Sequence, residues 1–581
     1  MFYLNFEQNR PEKPIEAHLE CRYDVHLPEN VLRHPVSPDV TCIADGIDSV
    51  LTSYDATLIA APTGFGKTYW VLHEILPRVI QGGGKMLLVS NRVAVSYQQK
   101  LEIMKLIDTS EICCLTPEGV LRKTDFGPVN IMTLQALDLF LSTPDGKEYA
   151  REVSVLVVDE VHYFTADVSF NPNAARLLKV IPQLFNKSVR IYMTATPEDV
   201  LRPLAQAEAN AKRPMIERTG ARFSPLALGQ APVINLYRYE SSKYQSLPIR
   251  YFEEYDELYP VIENSGDGKW LIFVSNKSVG ESIKEEISDA VFVSSDSKGS
   301  VAWNELLSEE QSHHHVLITT SVLDCGVNIH DDKLKHVVIP FEDRVTFMQA
   351  LGRKRFENEP NFTLYIKSIN RKRLNGLIYR NRELLYLVDD MRKHRNHNGY
   401  VDRFRHEGDP AKNSLVYLDY DNRYKLNDLY CHSLYRQQQY YEELMELIDQ
   451  YGKSAFPRRV HQWLGQPDAY NEPNWLGHDA SQQAREDLLM FLRNNESKLL
   501  TSEEERMLFS NKLYEFYKII TGKKKRKGRG KGGYLKMDAL NNCMEEMGIS
   551  GVVKSSGKGD GWILTVETTN TETEMGSEQV E

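Results

Sequence analysis

The sequence predicts an α/β protein with two successive parallel sheets, followed by a helical domain and a small C-terminal α+β module. Short apolar runs alternate with helical stretches, as expected of strands that a parallel sheet buries on both faces. The first set of runs ends at Ser90, Leu134, Glu160 and Thr196. After a less regular stretch the alternation restarts at 270–275, 290–295, 315–320 and 335–340. Two such sheets leave a cleft between them, and ligands of these folds bind at the carboxyl ends of the strands.

Composition and length exclude several classes of protein. The chain of 581 residues is long enough for roughly three or four domains. Apolar residues make up 41% and charged residues 26%, which is typical of a globular protein. No apolar run approaches the ~20 residues of a membrane span, and the N-terminus lacks the pattern of a secretion signal. The seven scattered cysteines include no CxxC pair, which argues against zinc and disulfides and favours a cytoplasmic location.

A glycine-rich loop follows the apolar segment ATLIAA. The stretch APTGFGKT departs from the phosphate-loop signature only in its first residue, where Ala61 replaces glycine. The glycines allow a tight turn of backbone amides, Lys67 can reach the β- and γ-phosphates, and the Thr68 hydroxyl can bind Mg²⁺. The alternative is a strand-to-helix turn with an exposed lysine. The residues expected to contact a nucleotide are Pro62, Thr63, Gly64, Phe65, Gly66, Lys67 and Thr68.

Two acidic residues follow another predicted strand, in the sequence VLVVDEVH. Asp159 and Glu160 come directly after its apolar run. A carboxylate at such a position can hold nucleotide-bound Mg²⁺, and a second can orient or deprotonate the attacking water. An isolated acidic pair usually only solvates a strand end. Downstream of a phosphate loop, the catalytic interpretation is favoured.

The acidic pair belongs to a series of family motifs. Asp159-Glu160-Val161-His162 resembles the DExH box of superfamily 2 helicases, and APTGFGKT resembles the first motif of that family. Other segments resemble the remaining motifs in their usual order, and so many matches in order are hard to reach by chance. They are SNRVAVSYQ (90–98), MTLQAL (132–137), TAT (194–196), IFVSNKSVGESI (272–283), LITTSVLDCGVNI (317–329) and QALGRKR (349–355).

The resemblance implies a site for ATP and Mg²⁺ between two RecA-like domains, residues 41–225 and 226–370. It implies that Thr68 and Asp159 hold the metal and that Glu160 activates water. Gln349 and Arg353 would reach the nucleotide from the second domain, where an arginine can be worth ~10³ to 10⁵ in rate. The implied contacts to a nucleic-acid backbone are Asn91, Arg92, Thr133, Ser275 and Thr320.

Two features depart from the family pattern. No glutamine-bearing segment for adenine recognition is evident upstream of residue 58, which leaves strict ATP preference open. The last motif usually has a second arginine three residues after the one matched by Arg353, but that position is Phe356 and Arg355 comes one residue early. A last motif that is shortened in this way resembles the motif of some phage or mobile-element members of the family. On a helix, Arg355 would point roughly 160–200° away from Arg353, and both can face one phosphate only if the helix begins late or the segment is a loop. We therefore predict Arg353 as the main catalytic arginine.

The remaining third of the chain has no catalytic motif, and residues 1–40 are predicted as an N-terminal extension. Residues 371–520 are predicted to be helical. Their tyrosines and arginines could stack on bases, but packing between helices is the favoured interpretation. Although the formal net charge is −11, the segment GKKKRKGRGKGG forms a strongly basic loop within 521–535. A helix and hairpin at 536–568 complete either a nucleic-acid module or a packing unit. A disordered acidic tail follows at 569–581.

The motifs favour an ATP-dependent helicase or translocase that acts on nucleic acid, with DNA slightly favoured over RNA. The second hypothesis is a nucleic-acid-stimulated ATPase that remodels or senses a complex without unwinding, and strand displacement would separate the two. The third is a P-loop enzyme unrelated to nucleic acid, whose ATPase would be indifferent to added DNA or RNA. The expected partners are ATP, Mg²⁺ and nucleic acid, without a membrane.

Overall fold

The chain divides into two compact units, Met1–Tyr470 and Asn471–Glu581. Among the helices that the structure describes, none combines the length and the apolar character of a membrane span. A computed structural model describes residues 30–37, 39–40, 42–47, 51–90, 93–107, 120, 122–218, 233–240, 243–297, 300–320, 328–356, 359–394, 397–404, 408–521, 534–549, 551–555 and 561–566.

The first sheet consists of seven described strands in the order β1-β7-β2-β6-β5-β3-β4, and each neighbouring pair is parallel. Every residue of the second, third and fifth strands is buried, as expected when helices cover both faces of a sheet. The strands are β1 (Val31–His34), β2 (Ala56–Ala60), β3 (Met86–Val89), β4 (Val129–Met132), β5 (Val155–Val158), β6 (Val189–Thr194) and β7 (Ile234–Arg238). The predicted strands of this sheet are confirmed.

Two strands of this sheet lie outside the range 41–225 that the sequence predicted for the first domain. β7 pairs with β2 near the centre of the sheet, with Leu58 beside Leu236, and β1 pairs with the other side of β7. Both strands are short and stand beside segments without a clear pattern, so local sequence did not identify them. The first sheet therefore takes strands from both sides of the predicted range.

Helices cover the first sheet, and together they form the first lobe. A π-helical turn at Val71–Ile75 joins the first two helices into one continuous segment. The helices are α1 (Lys67–Trp70), α2 (Leu76–Gln81), α3 (Val93–Ile107), α4 (Leu134–Leu141), α5 (Pro144–Glu152), α6 (Tyr163–Ala166), α7 (Ala174–Leu184) and α8 (Leu201–Arg218).

The second sheet has the order β10-β11-β9-β12-β13-β8 in the described residues, and its neighbouring pairs are also parallel. Its strands are β8 (Ile249–Phe252), β9 (Lys269–Phe273), β10 (Ala290–Val293), β11 (Val316–Thr319), β12 (Leu334–Ile339) and β13 (Thr363–Lys367). Its helices are α9 (Tyr259–Glu263), α10 (Lys277–Glu286), α11 (Val301–Glu309) and α12 (Arg344–Leu351). We call this part the second lobe. The predicted fold of two parallel-sheet domains is confirmed.

The helices that follow pack against both lobes. Leu384 and Val388 belong to the same hydrophobic cluster as Leu177 of the first lobe. The hydroxyl of Tyr440 donates to the backbone oxygen of Glu342 in the second lobe at 2.6 Å. The elements are α13 (Arg371–His394), α14 (His397–Phe404), α15 (Pro410–Asn413), β14 (Val416–Leu418), β15 (Tyr424–Leu426), α16 (Asp428–Tyr451) and α17 (Ala455–Trp463).

The second unit has a core of its own, which includes Leu488, Leu513, Leu540 and Leu564. Its strands form an antiparallel sheet in the order β16-β18-β17. The units divide after Tyr470, inside the range 371–520 predicted as one helical domain, because later helices pack with the C-terminal hairpin. Residues 522–533 of the basic loop and the tail 569–581 lie outside the described residues. The elements are α18 (His478–Asn495), β16 (Leu499–Leu500), α19 (Glu503–Thr521), α20 (Met537–Glu546), β17 (Gly551–Ser555) and β18 (Trp562–Val566).

A buried ion pair fixes α8 to the sheet of the first lobe. Arg190 donates to both carboxylate oxygens of Glu208 at 3.0 and 2.9 Å, and Tyr192 donates to the same carboxylate at 2.8 Å. We expect Glu208→Ala to lower the free energy of unfolding by roughly 3 kcal/mol, because it leaves the Arg190 charge buried without its partner. Chemical denaturation measures this loss.

The matched control for this variant is Glu152→Ala. Glu152 pairs with Lys85 at 2.6 Å, but both side chains are about half exposed. Loss of an exposed pair costs at most ~1 kcal/mol. Equal destabilisation by the two variants would contradict a structural role for the buried pair.

Candidate nucleotide-binding site between the two lobes

The loop between β2 and α1 has the geometry of a phosphate-binding loop. Gly64 and Gly66 have φ angles of +85° and +81°, which residues with a side chain rarely adopt. Lys67 is only 7% exposed, and its ammonium group donates to the backbone oxygen of Ala61 at 2.8 Å. Thr68 follows it in α1 and is half-buried. The ammonium group is therefore held over the loop, where phosphate oxygens would replace the carbonyl as its acceptor.

The two predicted acidic residues directly follow β5 at the carboxyl edge of the same sheet. Asp159 is 5% exposed and accepts a hydrogen bond from Gln99 Nε2 at 2.9 Å. Glu160 has a φ of +50°, a backbone strain of about 1 kcal/mol or more for a residue with a side chain. Within the described residues its Oε2 accepts no hydrogen bond, although it lies 3.3 Å from His162 Nδ1. A buried carboxylate oxygen of this kind can accept a hydrogen bond from a bound water and hold it in position.

The electrostatics of the acidic pair favour a cation. Burial raises the pKa of Asp159, and the neighbouring charge of Glu160 raises it further. Burial also raises the pKa of Glu160, but His162, Lys67 and Arg353 together outweigh burial and lower it overall. Among the described residues, no group of three or more His, Cys, Asp or Glu side chains could hold a metal ion. Thr68 and Asp159 are the residues that could hold a magnesium ion together with the phosphates of a nucleotide, since this metal usually binds through one or two carboxylates and substrate phosphates.

Side chains from both lobes meet in a hydrogen-bonded chain. The Gln349 amide nitrogen of α12 contacts Nε2 of the fully buried His162. Because an amide N–H can only donate, Nε2 accepts and Nδ1 carries the proton. His162 Nδ1 lies 2.9 Å from Thr194 Oγ1, which also accepts from the Thr196 backbone N–H at 3.0 Å. This series of hydrogen bonds joins the predicted residue Gln349 to the DExH and TAT segments.

Two arginines of the second lobe lie in the same cleft. Arg355 Nε and Nη2 donate to Asn328 Oδ1 at 3.0 and 2.7 Å. Its Nη1 is buried and, within the described residues, has no hydrogen-bond acceptor. A β-carbon placed on Gly64 would lie 2.8 Å from this nitrogen, so the guanidinium group faces the phosphate loop. Arg353 is 8% exposed, and its charge lowers the pKa of Glu160.

The segment with both arginines is the loop alternative, not a helix on which Arg355 would point away from Arg353. The helix containing Gln349, α12, ends at Leu351. Gly352 follows the helix and packs closely against the phosphate loop, because a β-carbon there would lie 3.1 Å from Thr63. Since the segment is not helical, both arginines can face the cleft.

Those predicted nucleic-acid contacts that the structure describes lie at the carboxyl ends of strands. Thr133 follows β4 and caps α4, accepting from the Ala136 backbone N–H at 3.1 Å. Ser275 lies beyond the end of β9 and is exposed, and Thr320 directly follows β11 and is half-buried. The remaining two predicted residues, Asn91 and Arg92, lie outside the described residues.

Several residues of the cleft were not among the predicted site residues, although Asn328 lies in the segment LITTSVLDCGVNI that resembles a family motif. Gln99 and Asn328 position Asp159 and Arg355 from distant parts of the chain. Arg344, at the start of α12, forms an ion pair at 2.6 Å with Glu198, close to the TAT segment. Each pair is far apart in sequence, so only the tertiary structure identifies it.

Part of the chain is similar to known helicase-type proteins. Residues 36–199 match the family described as type III restriction enzyme, res subunit. Over 185 residues the chain is 25% identical to the ATP-dependent DNA helicase Hel308 of Pyrococcus horikoshii, covering 31% of this chain and 25% of that protein. The chain thus spans about a quarter of the length of this curated relative. Because the family match includes the phosphate loop and both acidic residues, it supports the predicted relationship to superfamily 2 helicases.

Similar solved structures have low sequence identity. Dbp5 of S. cerevisiae, bound to RNA and ADP BeF3, is 15% identical with a TM-score of 0.38, over 56% of this chain and 81% of that chain. The Mycobacterium smegmatis helicase Lhr, bound to ssDNA and AMP-PNP, is 19% identical with a TM-score of 0.37, over 56% of this chain and 46% of that chain.

Proposed function

We propose that this chain is an ATP-dependent motor of the superfamily 2 helicase type, which unwinds or translocates on nucleic acid. The observation that supports this most is the approach of Gln349, Arg353 and Arg355 from the second lobe to the phosphate loop and acidic pair of the first. A site shared between lobes makes hydrolysis depend on their relative position. Relative movement of the lobes can then move a bound strand.

Each residue of the cleft has a distinct role in this proposal. Lys67 and the loop amides bind the phosphates of ATP. Magnesium, held by Thr68 and Asp159, would neutralise charge on the phosphate oxygens. Glu160 orients the attacking water and accepts its proton, while Arg353 and Arg355 stabilise the charge that develops in the transition state.

We propose that nucleic acid lies across the carboxyl ends of both sheets. Thr133, Ser275 and Thr320 offer hydroxyl groups there, which suit phosphate and sugar contacts rather than base recognition. We favour DNA over RNA and a cytoplasmic location, the latter because the cysteines show no disulfide pattern.

The experiment that tests this function is the ATPase rate of the full chain against single- and double-stranded DNA and RNA, combined with a strand-displacement assay. Stimulation by one class of nucleic acid with displacement supports the helicase proposal. Stimulation without displacement or translocation would favour a remodelling or sensing ATPase. A rate that is indifferent to every nucleic acid would contradict both.

The basic segment at 523–531 provides a separate prediction about affinity. It contains seven lysines and arginines. Replacing all seven by glutamine should weaken nucleic-acid binding and flatten the slope of log K against log salt by ~0.7 to 0.9 for each phosphate that the variant no longer neutralises. Substitution is preferable to deleting residues 521–581, because α20, β17 and β18 pack in the core of the second unit. An unchanged slope would indicate that the segment is only a tether.

A further inference from the structure

The segment between the two sheets brings another cation to the phosphate loop. Lys243 lies between β7 of the first sheet and β8 of the second. A β-carbon placed on Gly64 would lie 3.8 Å from Lys243 Nζ and 2.8 Å from Arg355 Nη1. The ammonium and guanidinium groups therefore face the same glycine of the loop.

An aromatic ring positions this lysine. Lys243 Nζ lies 4.2 Å from the centroid of the Phe356 ring, a distance typical of a cation–π contact. The ring of Tyr244 packs edge-on against Phe356, with centroids 6.0 Å apart. Phe356 directly follows Arg355, so one short segment of the second lobe holds both cations over the loop.

The charges of Lys243 and Arg355 above Gly64 favour the binding of an anion. Burial and the neighbouring Arg355 lower the pKa of Lys243 to about 8. Burial and Arg353 also lower the pKa of Arg355, against opposing contributions from Tyr244, Glu160 and Glu310. Like charges that are partly removed from water repel each other until a negative group enters. A polyphosphate above Gly64 would supply that charge.

We propose that Lys243, a residue of the connection between the two sheets, is a phosphate-binding residue of the nucleotide site. The proposal rests on the proposed function, because it takes a nucleoside triphosphate as the ligand. It adds Lys243 to the cations that the motifs identify, and it gives Phe356 a role in positioning that cation.

The test is Lys243→Gln in the full chain, with binding of a non-hydrolysable ATP analogue and of ADP measured directly. We expect the dissociation constant for the analogue to rise ~10-fold and that for ADP to rise less, because the triphosphate has the greater negative charge. Lys243→Arg should stay within ~3-fold of wild type, since it keeps the charge. The matched control is Lys187→Gln, an exposed lysine after α7.

A second readout separates binding from folding. Without nucleotide, Lys243→Gln should change the thermal midpoint little, because relief of repulsion from Arg355 offsets the lost cation–π contact with Phe356. With the analogue, its midpoint should rise less than that of wild type. Phe356→Leu should show part of the same loss in affinity, and Phe356→Tyr, which keeps the ring, should not.

The outcomes distinguish this inference from the proposed function. If Lys67→Ala abolishes binding while Lys243→Gln behaves like Lys187→Gln, the nucleotide site stands and the role of Lys243 is wrong. If Lys243→Gln lowers the midpoint without nucleotide and binds both nucleotides normally, the lysine is structural. If Lys67→Ala binds the analogue as wild type does, the proposed function itself fails.

Discussion

Lys67→Ala is expected to abolish nucleotide binding, whereas Glu160→Gln should keep binding and lose at least ~10³-fold in turnover. Lys67 is buried over the phosphate loop, so its ammonium group acts in the bound ground state as well as in the transition state. Glu160 has a buried oxygen that is suited to the attacking water, and its role is confined to the chemical step.

Two measurements separate these effects. Equilibrium binding of a fluorescent ATP analogue reports the loss in Lys67→Ala, and steady-state ATPase kinetics report the loss in Glu160→Gln. Lys85→Ala serves as a control, because Lys85 is half exposed and its ammonium group pairs with the half-exposed Glu152. Wild-type hydrolysis by Glu160→Gln would show that the acidic pair is not the catalytic pair.

Removing either cleft arginine should lower turnover by at least ~10²-fold, a larger effect than the accompanying change in nucleotide affinity. Arg355 Nη1 faces the phosphate loop, and Arg353 acts electrostatically on Glu160. Their positions in the second lobe mean that each contributes most when the lobes approach in the transition state. Steady-state kinetics on Arg353→Ala and Arg355→Ala provide the measurement.

Two further variants sharpen this prediction. Asn328→Ala removes the oxygen that holds two nitrogens of Arg355, so it should lower turnover by less than Arg355→Ala does. Arg250→Ala alters an exposed residue of β8 and should leave the kinetics unchanged. Normal turnover in Arg355→Ala would mean that its approach to the loop has no catalytic consequence.

The strands that build the cleft could be predicted because the pattern of residues that identifies each of them lies within a few consecutive positions. β2, β3 and β5 are buried along their whole length, and a continuous apolar run followed by polar residues indicates such a strand. β1 and β7 lack that pattern, and pairing between them depends on residues about 200 positions apart. Local periodicity contains no information about such pairing.

The candidate site likewise contains residues that local sequence identifies and residues that only the tertiary structure identifies. Lys67, Asp159 and Gln349 lie in short motifs whose chemistry can be recognised from neighbouring residues. Lys243 lies outside these motifs, and the contact of Asn328 with Arg355 is a tertiary one. The orientation of Arg355 depends on where the preceding helix ends, and the sequence leaves open whether the residues after Leu351 form a helix or a loop.

Helix α16 has a mechanical consequence for a motor of this kind. Arg436 lies 3.6 Å from Asp199 of the first lobe, and Tyr440 bonds to Glu342 of the second, so the helix is attached to both lobes within about one turn. In the proposed motor this short connection would act as a fulcrum, because the lobes cannot separate there without breaking one of these contacts. Movement driven by ATP would then be a rocking motion about α16. The stroke of the motor would grow with distance from this helix, so a small closure at the phosphates could become a larger displacement of the strand.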